Sequence, residues 1–230
     1  MLSFSARVRS VCRHRWAKPI LFLICLLPLA WWVRGIALDE LGANPAEVLI
    51  RSSGDWTLRA LCIVLTVTPL RLTAQVPELA RFRRMLGLFT YFYVLLHLTF
   101  YAWFDMGFDL ADISADIAKR PFIFVGFAAA VGLTLLAVTS FNAAIRWMGA
   151  KRWQALHQAV YGIAVLGVVH FFWMRAGKNN FAEVSVYAAI LAMLLGWRYM
   201  TNLVRSTGLF GKQGPPATAL QIDDLILWIT

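Results

Sequence analysis

Charge is what this chain has least of. Charged residues make up 15% of the 230 positions against 60% apolar. That is too few to clothe a soluble domain of this size, and the balance points to a polytopic membrane protein with no conventional soluble core. Acids are scarcer than bases, 12 against 22, and none lies deep in an apolar run. There are only three cysteines. Cys12 falls in the N-terminal segment and Cys25 and Cys62 in apolar runs, so none suits a disulfide in an oxidising compartment or a thiolate metal cage, and all three read as packing residues. No G-x-G-x-x-G or P-loop pattern occurs, which argues against a nicotinamide or ATP site within the chain. No internal repeat is strong enough to argue from.

What is there is a series of six apolar runs: Pro19 to Ile36, Trp56 to Leu70, Met85 to Phe104, Pro121 to Phe141, Trp153 to Trp173 and Ala182 to Met200. Each comes near the ~20 residues that a helix needs to cross ~30 Å of hydrocarbon. The expected fold is therefore all-α, a bundle of six transmembrane helices spanning 19–200, with a basic segment 1–18 before it and a tail 201–230 after it. The second run is the weakest. It is short and carries Arg59 near one end, so it must snorkel that side chain or extend into the interface. The first run follows a basic segment but offers no small-x-small cleavage site, and reads as a retained anchor.

Basic residues are distributed unevenly between alternate loops. Fifteen of the 22 fall in the N-terminal segment, the second loop, the fourth loop and the C-terminal segment, which places both chain ends in the cytoplasm. The acids Asp39, Glu40, Glu47, Asp55, Asp105, Asp109, Asp112, Asp116 and Glu183 all fall on the other side. A net charge of +10 invites a nucleic-acid reading, but charges spread over four segments flanking apolar spans are explained by topology, so no nucleic-acid partner is expected.

Three histidines lie inside the apolar runs, His97 in the third and His157 and His170 in the fifth. Buried imidazoles are costly in hydrocarbon unless something engages them, and three look like a ligand set. Measured from the outer end of each span, His97 lies about 12 Å deep and His170 about 7.5 Å, a difference that ordinary tilt removes, whereas His157 lies about 27 Å deep. His97 and His170 can share one site and His157 cannot join it. One histidine on each of two facing helices, walled by aromatic side chains, has the form of a bis-histidine haem pocket. Phe89, Tyr91, Phe92, Tyr93, Phe100 and Tyr101 surround one histidine, and Tyr161, Phe171 and Phe172 lie near the other, with Trp103 and Trp173 read as interfacial. Zinc normally takes four ligands, and no Cys, Asp or Glu lies at this depth to complete them.

On a straight helix the side chains of His157 and His170 point about 140° apart. A kink at Gly162 or Gly167 would alter that angle. His157 is either the ligand of a second haem, which needs another partner, or an interfacial histidine bonded to water, headgroup or backbone. Thirteen or fourteen residues before His97 stand Arg84 and Arg83, propionate partners rather than iron ligands.

The stretches Arg83-Arg84-Met85-Leu86-Gly87-Leu88 leading to Leu96-His97, Lys119-Arg120-Pro121-Phe122, and Lys151-Arg152-Trp153-Gln154-Ala155-Leu156-His157 through Tyr161 to His170 resemble the MsrQ (YedZ) family, within the ferric-reductase-like transmembrane superfamily. The similarity covers the first span to the sixth. It implies a bacterial inner-membrane electron-transfer subunit that carries one haem b, or two, and is not itself the catalytic sulfoxide reductase. By the same resemblance, electrons come from the quinone pool or a flavin donor and pass to a periplasmic molybdenum-dependent methionine sulfoxide reductase. Flavin mononucleotide is implied by the resemblance alone. Relative to the larger superfamily, with two histidines on each of two helices, the third span lacks its inner histidine. A rival class, a small transporter or proton conductor using intramembrane histidines, would call for acids or broken helices at mid-membrane, and the sequence supplies little of either.

Overall fold

The computed structural model describes residues 4–176 and 181–207, and every regular element within them is helical. Six helical stretches are long and apolar enough to cross a membrane: Ala17–Ala37, Pro45–Thr73, Pro77–Asp105, Pro121–Val138, Ala150–Ala176 and Ala182–Val204. The all-α, six-span fold expected from the apolar runs is the one adopted. The outward faces are apolar, with Leu27, Val131 and Met193 all more than half exposed. Lipid, rather than protein, is the solvent for such a surface.

Residues read as a basic tail form a helix, α1 (Phe4–Arg13). It is fastened to the loop after the second span. Arg9 donates to the Gln75 carbonyl, Arg13 pairs with Glu78 at 2.6 Å, and Arg81 donates to the Cys12 carbonyl at 2.7 Å. Beneath these bonds Cys12, Val76 and Phe82 are buried together. Burial pushes the Cys12 thiol up, and the neighbouring Glu78 carboxylate adds to the shift, which keeps this cysteine a packing group rather than a nucleophile.

The first span is α2 (Ala17–Ala37). The second, α3 (Pro45–Thr73), starts eleven residues before the expected Trp56. Asn44 explains the start: its side-chain oxygen accepts from the Glu47 N–H at 3.1 Å, and Pro45 follows with its ring already set for the first helical position. The early start places Arg59 inside the helix. It donates to the Tyr187 hydroxyl at 3.0 Å while lying over the Trp56 ring.

A 3-10 turn (Pro77–Phe82) leads into α4 (Arg83–Phe100), whose last turn widens into a π turn at Tyr101–Asp105. Then come α5 (Leu110–Lys119), α6 (Pro121–Val138) and α7 (Asn142–Met148), with Gly149 at φ +74° turning the chain into α8 (Ala150–His157). After α9 (Val160–Ala176), α10 (Ala182–Thr207) runs past Met200. Residues 208–230 of the expected tail lie outside the described residues.

The fifth span is not one straight helix. Its break falls between α8 and α9, at Gln158 and Ala159, rather than at Gly162 or Gly167. There the Ala159 N–H donates to Leu156 and the Tyr161 N–H to Gln158, bonds closed over three residues instead of four. A 140° relation between His157 and His170 therefore does not apply, because it assumed a continuous ladder.

In the bundle α3 packs along α4 and α6 along α9, while α10 closes on α3 and α9. Small residues sit at the close approaches, with Ala129 and Ala130 on α6 and Ala164 on α9 all buried. On the outer flank of α4, Trp32 of α2 is 1% exposed and donates its indole N–H to the Ser52 hydroxyl at 3.0 Å. It meets the edges of Tyr93 and Phe100, and Tyr93 in turn donates to the Cys25 carbonyl. This cluster is the main attachment of α2. Trp32→Ala is expected to cost about 3–5 kcal/mol and Trp32→Phe about 1 kcal/mol for the lost hydrogen bond. Thermal unfolding in detergent checks the order.

Candidate functional site

The structure brings two of the three histidines together. The rings of His97 on α4 and His170 on α9 have centroids 6.4 Å apart and planes inclined at 74°. They border a cavity of about 340 Å³ lined by α3, α4, α5, α6 and α9.

Each ring is held in the same way by the helix its own helix packs on. His97 Nδ1 lies 2.9 Å from the Ile50 carbonyl of α3, and His170 Nδ1 lies 2.7 Å from the Phe122 carbonyl of α6. A carbonyl only accepts, so Nδ1 carries the proton on both rings and Nε2 keeps its lone pair for another partner. Four residues after each carbonyl stands a glycine. A Cβ on Gly54 would come within 3.2 Å of His97, and one on Gly126 within 2.6 Å of His170 Nδ1. The absence of a side chain lets each imidazole lie against backbone. His97 has one further neighbour: the buried Ser53 hydroxyl donates to Ile50 at 2.9 Å and stands 3.2 Å from His97 Nδ1.

Charged groups gather at the rim of the cavity. Arg51, Asp55 and Arg175 line it. Arg51 pairs with Glu47 and Arg175 with Glu183. Tyr101, also in the lining, donates to Asp116 at 2.7 Å, and Asp116 pairs with Arg120 at 2.8 Å. Asp116 is thus 8% exposed, and Asp109 caps α5 by accepting from the Ala111 and Asp112 N–H groups. Of the four acids between Asp105 and Asp116, these two hold the loop in place.

The aromatic wall differs from the expected one. Phe89, Phe92, Tyr93 and Phe100 pack toward α2 on the far flank of α4, so among the residues expected around the histidines only Tyr101 and Phe171 reach the cavity. A periodic run shows that a helix is aromatic, but not which flank meets which neighbour. Trp103 and Trp173 are exposed at 57% and 42% and line neither this cavity nor the one beside His157. Among the described residues, no group of three or more His, Cys, Asp or Glu side chains is gathered as a metal cage.

His157 stands apart, at the end of α8, in the lining of a second cavity of about 340 Å³. Its ring stacks on Trp153 with centroids 3.9 Å apart, and its Nε2 lies 3.2 Å from the Thr139 hydroxyl. Sequence reasoning missed Ser53, Gly54 and Gly126 altogether. The only signal was the spacing of a glycine four residues after an apolar residue, which has no meaning until the opposing helix is known.

A bundle of membrane helices carrying histidines opposed across two helix pairs defines a class, and the sequence agrees with it: the family described as ferric reductase like transmembrane component matches residues 53–168. A protein-methionine-sulfoxide reductase heme-binding subunit MsrQ of Polaromonas naphthalenivorans is 70% identical over 193 residues, covering 84% of this chain and 88% of that protein. Proteins of the same name from Herminiimonas arsenicoxydans and Bordetella pertussis are 49% and 50% identical, covering 77% and 79% of this chain and 82% and 87% of those proteins. The chain belongs to the MsrQ family. No solved structure matches it.

The two glycines beside the rings are not interchangeable with glycines elsewhere in the helices. Gly126→Ala should destabilise the protein by about 1–3 kcal/mol, because the methyl must displace His170. Gly196→Ala, with nothing within 4 Å of its Cβ, should be neutral or stabilising by up to about 1 kcal/mol. Thermal denaturation of both variants in detergent compares them directly.

Proposed function

We propose that this chain is the haem b-carrying membrane subunit of a methionine sulfoxide reductase system, with His97 and His170 as the two axial ligands. The observation that carries the reading is the opposed pair of imidazoles, each with Nδ1 tied to a backbone carbonyl. A single metal ion bound at about 2 Å by one nitrogen of each ring calls for ring centroids some ~6 Å apart, and the observed 6.4 Å fits. The tautomer fits as well, since both rings leave Nε2 available. Two axial nitrogens suffice for haem, and the relatives' name supports the same group.

When bound, the haem supplies one-electron redox chemistry. The chain's own residues do the rest. Ile50 and Phe122 orient the imidazoles and raise their basicity through the Nδ1 hydrogen bonds, Ser53 modulates the bond on one side, and the apolar walls exclude water. Arg51 and Arg175, in the same lining, supply cations for the acidic side groups of the haem. His157 does not belong to this site. A second haem there would need a ligand opposite it, and the group beside its Nε2 is the Thr139 hydroxyl.

The excess of basic residues in alternate loops supports an orientation with both ends in the cytoplasm, hence a bacterial inner-membrane subunit. In that orientation the haem lies toward the periplasm, where the family resemblance puts a molybdenum-dependent reductase that repairs oxidised proteins. The catalytic sulfoxide chemistry belongs to that partner. Electrons enter from the quinone pool or from a flavin donor, and the resemblance adds flavin mononucleotide as a second cofactor.

The purified protein is expected to show the reduced-minus-oxidised optical spectrum of a b-type haem. His97→Ala and His170→Ala should each abolish it, and His157→Ala should leave it in place. Retention of the signal in either of the first two variants would overturn the pairing. Adding a quinol and following haem reduction tests the donor: reduction only by a reduced flavin assigns it to flavin.

A further inference from the structure

The two halves of the histidine site share a carbonyl and a glycine, and they differ by one hydroxyl. On α3 the Ser53 side chain, 0% exposed, donates to the Ile50 carbonyl at 2.9 Å and lies 3.2 Å from His97 Nδ1. On α6 the residue in the same register, three after Phe122, is Val125, which has nothing to donate. Ser53 lies outside the lining of the cavity, so whatever it does to a ligand there it does through Ile50 and His97.

The two carbonyls therefore carry different loads. A carbonyl oxygen has two lone pairs. At Phe122 they serve two donors, the His170 Nδ1–H and the backbone N–H one helical turn on; at Ile50 they serve three, because the Ser53 hydroxyl joins the His97 Nδ1–H and the helical N–H. Donors that share an acceptor each hold it less firmly, and the distances follow: 2.7 Å at His170 and 2.9 Å at His97. The hydroxyl oxygen does not make good the loss. At 3.2 Å it stands at the far edge of hydrogen-bond range, and the carbonyl is nearer. An imidazole whose Nδ1–H is held loosely has less electron density to give through Nε2. Such a ligand favours ferric iron over ferrous by less, and the midpoint potential of the haem rises.

We propose that Ser53 is a positioning residue that makes His97 the weaker electron donor of the two axial ligands and so sets the haem potential above the value that two ligands held like His170 would give. The proposal rests on the functional reading above for the haem, and adds what separates its two ligands. A raised potential eases electron entry from the donor and lowers the driving force of delivery to the acceptor. One buried hydroxyl thus apportions the drop between the two steps.

Redox titration of the full-length protein in detergent, followed at the haem absorbance, tests it. Ser53→Ala should lower the reduced-to-oxidised ratio at a fixed applied potential about threefold, a downward shift of about 30 mV at about 59 mV per tenfold for one electron. Val125→Ser, which installs the hydroxyl beside the Phe122 carbonyl, should raise the ratio by a similar factor. The double variant, with the hydroxyl moved from one ligand to the other, should return close to the parent. An unchanged or raised potential in Ser53→Ala would overturn the proposal. So would a double variant that fails to compensate, the outcome expected if each change merely disturbed packing. A second reading comes from proton resonances of the imidazole N–H groups in histidine-labelled protein under reducing conditions, where low-spin ferrous iron is diamagnetic. The His170 Nδ1–H should resonate downfield of the His97 Nδ1–H, and Ser53→Ala should move the latter downfield. A parent protein with no haem spectrum removes the functional reading, and these resonances then still decide whether Ser53 loosens the His97 bond.

Discussion

An imidazole in a hydrocarbon interior keeps one orientation only if its N–H is held, and in this protein a backbone carbonyl does so twice. His97 and His170 lean on Ile50 and Phe122, each the carbonyl whose own helical partner would be the N–H four residues on. That residue is glycine in both cases, Gly54 and Gly126. The two halves of the site thus use one device: a carbonyl to fix the tautomer and a missing side chain to admit the ring. The packing of α3 along α4 and of α6 along α9 follows from it, since moving either pair apart would strand a polar nitrogen in an apolar space.

Around this device the bundle is functionally asymmetric. The histidine cavity is bounded by apolar helix faces and rimmed by ion pairs in which Arg51, Arg175 and Arg120 are all matched with acids. The cavity at the other end gathers arginines from three helices. That cavity takes Arg83 and Arg84 from α4, and across it the break at Gln158 leaves His157 stacked on Trp153.

Much of the architecture was legible from single residues. The rise per residue placed His97 and His170 at matching depth and set His157 apart, and the six apolar runs became six spans. What was not legible depended on neighbours. The aromatic run of α4 gave no hint that Phe89, Phe92 and Tyr93 would turn toward Trp32. Glycine is where a kink is most readily expected, whereas the actual break formed at Gln158 and Ala159, where a change of hydrogen-bond span needs no glycine. The N-terminal basic residues read as topology signals, yet Arg9 and Arg13 bond specific groups of a distant loop. Asn44 was a readable helix cap that the apolar count overlooked, and it moved the start of α3 by eleven residues.

Apolar helices in lipid slide past one another at little cost, because one leucine face is much like the next. The histidine–carbonyl contacts remove that freedom. A shift of one residue would turn the partner helix by about 100° and carry both carbonyl and glycine out of reach, and the next comparable position is a full turn, about 5.4 Å, away. A turn in either direction puts Ile50 or Leu58 where Gly54 now stands, and Phe122 or Ala130 where Gly126 does. All four carry a side chain into the space the imidazole needs. The histidines are therefore register pins, and the same bonds that hold Nδ1 and leave Nε2 its lone pair also decide which of many similar helix alignments is the native one.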